Sequence, residues 1–191
     1  MEKLLYEEQL RKIFSNVNDW LKFAEAKNFG LVSLNGIVIL ALLKITSADA
    51  NVLSISARYV LFPFAIVSFL FALISLFPIM SKIEAGAYVK SWINKTSNWI
   101  DTEKKFENIH FYGYLKDIQE AEFEEKFLKK INIKKAFTEY ERELVTQILY
   151  NSRISWLKYQ LFKISAMAFL TDIVLFTIAL PIILLIKVSI R

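Results

Sequence analysis

The sequence predicts an all-α integral membrane protein: an N-terminal two-helix transmembrane hairpin, a cytoplasmic helical region and a C-terminal third transmembrane helix. Three observations predict it. Residues 29–45, 59–80 and 164–186 are apolar blocks, and a helix of about 20 such residues crosses the roughly 30 Å hydrocarbon core of a bilayer. The chain is 55% hydrophobic, yet its 23% of charged residues lie almost wholly outside those blocks. Only four glycines and three prolines punctuate it, and no alternating run reads as a strand.

Residues 1–28 read as a cytoplasmic amphipathic helix. Leu10, Ile13, Phe14, Val17, Trp20, Leu21 and Ala24 recur at helical spacing, with Arg11, Lys12, Asn18 and Lys22 elsewhere. The mixed charge signs favour packing against other helices over lying on the membrane surface. They also differ from the basic start of a signal peptide. Residues 29–80 form the hairpin. Its first span carries Gly30, Ser33 and Gly36, and its second carries Ala65, Ser68, Ala72 and Ser75 on one face, small residues that let helices approach.

Residues 81–160 form the cytoplasmic helical region. Ser81 to Asn108 reads as a helix with Trp92 and Trp99 on neighbouring faces, and Gly113 interrupts an aromatic patch at Phe111, Tyr112 and Tyr114. From Gln119 to Lys135 the chain is charged and helix-favouring. Thr138 and Glu141 match a capping box that opens the last helix. No Gly or Pro intervenes before Pro181, so that helix runs unbroken into the third span and short tail at 161–191.

Fifteen of the 24 lysines and arginines lie between Lys82 and Lys163, and five precede the first span. Basic residues near spans favour the cytoplasm, which predicts a multi-pass membrane protein with a cytoplasmic N-terminus. The net charge of +5 then lies close to anionic lipid, so the lipid bilayer accounts for it without a nucleic acid polymer. With no cysteine and a single His110, thiolate and multi-histidine metal sites are excluded. Phosphate-loop, H-E-x-x-H and G-x-S-x-G signatures are missing, so no enzyme, catalytic residue, metal or cofactor is expected. Asn94-Lys95-Thr96 matches a glycosylation acceptor but falls on the cytoplasmic side.

Three groups of residues have chemistry to offer. Asp172 lies inside the third span, where an ionisable side chain costs about 2.5–3.5 kcal/mol on insertion scales and normally faces protein or water. Asn35 lies at similar depth in the first span. Asp172 reads either as bonded to Asn35 or to a serine, holding the bundle together, or as part of a polar lining uncovered when helices rearrange. Gln147, Asn151, Ser155 and Lys158 share one helical stripe, which is either a wet face or a set of groups for a sugar or phosphate. Lys27, just before the first span, reads as an interfacial anchor whose head snorkels to the headgroups.

Several of these residues align with one family. Glu25-Ala26-Lys27 stands before the small and apolar first span, and Tyr112-Gly113-Tyr114-Leu115 forms an aromatic element. Gln147-Ile148, Ser152, Ile154 and Lys158-Tyr159 follow at the offsets of Q-I-x-x-x-S-x-I-x-x-x-K-Y. In this pattern the chain resembles the Pycsar effector transmembrane (PycTM-like) family of antiphage defence proteins. Glu25 replaces the usual Asp, and Tyr114 stands where an acid is usual. The resemblance implies a membrane effector activated by a cyclase product, cyclic CMP or cyclic UMP. The nucleotide would bind on the cytoplasmic side, and the effector would then impair the inner membrane and stop growth of the infected cell. It also implies ligand roles: Lys27 and Lys158 would supply positive charge for the cyclic phosphate, and Gln147 and Ser152 hydrogen bonds. A homo-oligomer is expected. The competing class is a non-enzymatic membrane scaffold that binds a cytoplasmic partner protein. A small transporter is disfavoured, because three spans and one buried acid offer no repeated pathway.

Overall fold

The computed structural model describes residues 2–47, 107–133 and 135–189, together with positions 62, 63, 66, 67, 69 and 70. All its regular elements are helices, and no strand occurs among the described residues. They are α1 (Glu2–Ser47), α2 (Tyr112–Leu115), α3 (Glu120–Ile131) and α4 (Glu139–Ser189). The six positions between 62 and 70 are helical and exposed. Otherwise the returning span of the expected hairpin and the expected Trp92–Trp99 helix lie outside the described residues.

Helix α1 joins the amphipathic opening and the first apolar block in one element of 46 residues. Nothing at the join breaks it. An isolated glycine costs a helix only about 1 kcal/mol relative to alanine, and Gly30 and Gly36 are both taken in stride. At about 1.5 Å per residue, α1 and the 51-residue α4 are each more than twice the roughly 30 Å hydrocarbon thickness, so only part of either can lie in lipid. Helix α4 passes through Pro181 without ending.

The chain divides into two compact units. The first comprises residues 1–26 and 81–160 and is called the polar unit below; the second comprises residues 27–80 and 161–191 and is called the apolar unit. In the polar unit, Leu10, Ile13 and Val17 of α1 are fully buried, as are Phe123 and Phe127 of α3 and Val145 and Ile148 of α4, to within 1%. Tyr6 stacks on Phe137 with ring centroids 6.3 Å apart, and Phe123 stacks on Phe127 at 5.8 Å. The amphipathic face of α1 is therefore a packing face. Trp20 is the exception at 38% exposure.

Local chemistry sets where α3 and α4 begin and end. Asn132 closes α3 with a left-handed backbone at φ 56°, and the Ile133 N–H donates to the Leu128 carbonyl at 3.1 Å. That is a Schellman-type stop, with asparagine in the place glycine usually takes. At the start of α4 the Glu141 carboxylate accepts the Thr138 N–H at 2.6 Å, the returning half of the capping box. Two contacts tie α3 to the α4 region: Thr146 donates to Glu120 at 2.8 Å, and the Phe137 N–H donates to Glu124 at 2.7 Å.

The apolar unit turns its large apolar side chains outward. On α1, Phe29, Leu34, Ile37 and Leu40 are 50–68% exposed, and on α4 Met167, Leu170, Val174 and Ile178 are 55–60% exposed. Among the described residues these two helices are long and apolar enough to cross a membrane, and only 22% of each apolar window is buried. A core helix of a soluble protein would be covered, whereas an apolar surface of this extent needs a nonaqueous neighbour. The surroundings these helices fit are lipid.

Truncating Phe123 to alanine is expected to lower the stability of the polar unit by about 3–5 kcal/mol, because the ring is fully buried among other rings. Thermal unfolding of the detergent-solubilised chain measures it. A second expectation concerns acid. Burial alone would raise the Glu141 carboxyl, but the neighbouring Tyr6 phenol, the Thr138 amide and the Lys135 ammonium together hold it below its ordinary value of 4.5. The stability this adds is complete above the unfolded value of 4.5 and is lost as pH falls through the lower folded value. Glu141→Gln should flatten that part of the stability–pH curve and leave the curve above pH 6 parallel to that of the parent.

Candidate functional site

Within the polar unit, α1 and α4 are joined by two polar contacts. The Asn151 amide donates to the Asn18 side-chain oxygen at 2.8 Å, and the Lys158 ammonium donates to the Glu25 carboxylate at 2.5 Å. Both pairs are separated by 133 residues in sequence. An equal offset means that the two helices run parallel here, in register, with one polar clasp every seventh residue. Seven residues are close to two helical turns, so clasps at this spacing fall on the same flank of each helix.

The ion pair is asymmetric. The Lys158 side chain is 8% exposed and that of Glu25 is 45% exposed. A buried ammonium is tolerated only when an anion meets it, and Glu25 is that anion. Three of the four residues in the Gln147–Lys158 stripe are thus used inside the polar unit. Asn151 and Lys158 reach α1, while the Ser155 hydroxyl donates to the Asn151 carbonyl at 2.8 Å. Gln147 is exposed. Ser152 is fully buried and donates to the Ile148 carbonyl at 2.7 Å. Lys27 belongs to the apolar unit, where its ammonium lies 5.5 Å from the centre of the Phe162 ring.

On the other flank of the same helix pair the aromatic residues meet. Tyr112 stacks on Tyr159 with centroids 5.0 Å apart and planes 14° from parallel. Trp20 contacts Tyr112 at 5.5 Å and both Phe111 and Tyr159 at 6.3 Å. Burial raises the Tyr159 phenol above its usual value, so it is neutral at physiological pH. Gly113 leaves room for the Phe111 ring: a side-chain carbon there would meet that ring, which would have to shift. Arg153 donates to the carbonyls of Lys116 and Ile118 at 3.3 and 3.4 Å, and the Lys116 ammonium sits 4.2 Å above the Trp156 ring. These contacts fix the short α2 segment against α4. Tyr114 accepts a hydrogen bond from Lys126, a cation that also meets Glu122 at 2.9 Å.

The three sequence motifs therefore converge in the polar unit. The acid of Glu25-Ala26-Lys27 holds the lysine of Lys158-Tyr159, and the tyrosine of that dipeptide stacks on the aromatic element at Tyr112. An open recess of about 270 Å³ lies beside Trp20, lined by Asn16, Asp19, Trp20 and Phe23. Phe23 and Glu25 are about 200° apart around the helix, so this recess does not adjoin Lys158. Glu25 meets the ammonium directly. Sequence reasoning missed Glu25 as the partner of Lys158, and Asn18 as that of Asn151, because a separation of 133 residues leaves no local signal.

In the apolar unit, Asn35 is fully buried and Asp172 is 4% exposed. The Asn35 amide donates to the Leu31 carbonyl at 2.9 Å. Asn28 and Ser165, which the sequence reading did not single out, are fully buried as well. Their signal was present, since each stands seven residues before one of the two chosen residues. Among the described residues no group of three His, Asp or Glu side chains could hold a metal ion.

The family model for the Pycsar effector protein domain, PycTM, matches residues 9–185 of the chain. No curated protein and no solved structure matches it.

A charge-swap cycle tests the clasp. Glu25→Lys and Lys158→Glu are each expected to destabilise the polar unit by about 1–3 kcal/mol, less than a fully buried pair would, because Glu25 is 45% exposed. The double variant should recover most of the loss. Strictly additive losses in thermal unfolding would show that the two side chains do not depend on each other.

Proposed function

This chain belongs to the Pycsar effector family, a family of antiphage defence, and from that premise we propose how it acts. It is a membrane effector that a cyclic pyrimidine mononucleotide, cyclic CMP or cyclic UMP, switches on from the cytoplasmic side. It lies in the bacterial inner membrane as a multi-pass protein with its N-terminus inside. Once switched on, it impairs that membrane without catalysis and stops growth of the infected cell.

The observation that carries the reading is the Glu25–Lys158 pair. Lys158 is a buried cation that meets a half-exposed carboxylate on a parallel helix. A cyclic phosphodiester is a compact anion that can compete with that carboxylate for the same ammonium. Exposed Gln147, on the same stripe of α4, is available to hydrogen-bond the ligand. Lys27 adds positive charge within the same stretch of α1 as Glu25. Ser152 supports the helix through its own carbonyl bond, so its contribution is to packing.

Displacing Glu25 releases one of the two clasps between α1 and α4. Each helix is a single element that continues from the clasp into its apolar segment. A ligand that prefers the unclasped arrangement shifts the population by its differential affinity and by no more. Moving the balance from about 1:99 to 99:1 needs about 5.5 kcal/mol of that preference. A charge-assisted contact with a desolvated ammonium is among the stronger single contacts that a small anion can make towards that preference.

Calorimetry on the detergent-purified chain with cyclic CMP, cyclic UMP, cyclic AMP and cyclic GMP tests the proposal. One pyrimidine should bind at micromolar or tighter affinity with the purines silent, and Lys158→Ala should weaken it by about tenfold or more. Silence from all four nucleotides with folded protein would overturn the nucleotide switch and favour a scaffold for a partner protein.

A further inference from the structure

The apolar unit carries an inverted pattern of polarity. Its outward positions are Phe, Leu, Ile and Val, whereas Asn28, Asn35, Ser165 and Asp172 are all at most 4% exposed. Buried faces between helices in lipid are filled adequately by small or apolar side chains, and a carboxyl there costs roughly 2.5–3.5 kcal/mol. Four such groups on two helices need an account.

Their spacing supplies one part. Asn28 and Asn35 are seven residues apart on α1, and Ser165 and Asp172 are seven apart on α4. Seven residues advance a helix by about 10 Å and return to nearly the same face. Each helix therefore presents two polar levels on its buried side, about 10 Å apart along the span. On α4 the same seven-residue step continues back through Lys158 to Asn151.

Ser165 supplies the second part. Thr146, Ser152, Ser155, Thr171 and Thr177 of α4 all donate to the carbonyl four residues earlier, at 2.7 to 2.9 Å. That bond is the ordinary way a helical hydroxyl satisfies itself. Ser165 does not make it, and its Oγ has no hydrogen-bond partner among the described residues although it is fully buried. A fully buried hydroxyl without that bond has hydrogen-bonding capacity to spare for water or an ion.

We propose that Asn28, Asn35, Ser165 and Asp172 line the route by which the activated protein passes monovalent cations. The proposal rests on the effector reading above and specifies how the membrane is impaired: by a cation leak, not by general rupture. Amide and hydroxyl oxygens replace part of a cation's hydration shell, and a hydrated carboxylate at Asp172 favours cations and repels anions. With all four side chains buried, the route is shut in this conformation.

The chain has no cysteine, so single Ser165→Cys and Leu170→Cys variants each report one position. Both are reconstituted in liposomes with the nucleotide that calorimetry identifies. They are treated with methanethiosulfonate reagents of positive or negative charge, with leakage of K⁺ and of a large dye recorded in parallel. The cationic reagent should modify Ser165→Cys about tenfold faster than the anionic one, given focusing by one carboxylate, and only when nucleotide is present. Outward-facing Leu170→Cys should remain unmodified, K⁺ should leak and the dye should not. Adding Asp172→Asn should bring the two rates together. Equal rates before that change, or an unreactive Ser165→Cys while K⁺ leaks, would overturn the proposal and leave the effector reading standing. Bound nucleotide with neither leakage nor modification would overturn both.

Discussion

The parallel pairing of α1 with α4 through polar side chains one heptad apart is the constraint on which the polar unit depends. Asn18–Asn151 and Glu25–Lys158 share the offset of 133 residues, so both are satisfied in one register and neither in any other. Sliding one helix by a turn would leave an amide unmatched and an ammonium buried without its anion. Apolar contacts tolerate such a slip far better, because they are non-directional. Leu10, Ile13 and Val17 of α1 and Val145 and Ile148 of α4 are buried in the core, and the two clasps select among the packings that burial would accept. Polar residues in helix–helix seams set register in this way, at some cost in stability.

The two units use the same pair of helices in opposite chemical senses. In the polar unit the interior is apolar, aromatic and closed by ion pairs at its edges, as an aqueous surrounding requires. In the apolar unit many large apolar side chains face outward, and Asn28, Asn35, Ser165 and Asp172 are buried. One helical geometry serves both, since a step of three or four residues selects a face whatever the solvent. What changes between Ala26 and Phe29, and again near Leu161, is which face is apolar.

Coupling between a ligand and a membrane effect needs an element with two arrangements and a contact that prefers one of them. The clasp has the necessary features: a buried cation, an anion that is half exposed and therefore replaceable, and a stable second clasp one heptad away that keeps the helices paired while the first is exchanged. The aromatic cluster on the opposite flank has a different part. Tyr112 on Tyr159, with Arg153 and Lys116 bound to their neighbours, holds α2 rigidly against α4. One flank of α4 is thus fixed by rings and the other by charges, and only charges can be exchanged for a small anion.

Much of this protein was legible in one dimension. The all-helical fold, the apolar blocks, the capping of α4 at Thr138 and Glu141, and the uninterrupted run of α4 through its apolar segment follow from periodicity, a four-residue motif and the scarcity of Gly and Pro. These are local properties, decided within one or two turns. The burial of Asn35 and Asp172 also followed, since a polar side chain in an apolar block has nowhere else to go. What only the tertiary structure decided was pairing. It gave Lys158 to Glu25 and Asn151 to Asn18, buried Ser152, left Gln147 outside, and stacked Tyr112 on Tyr159. Helical spacing says which residues share a stripe, but what a stripe faces depends on the register of two segments more than a hundred residues apart, and that register is set by packing and not by either segment alone.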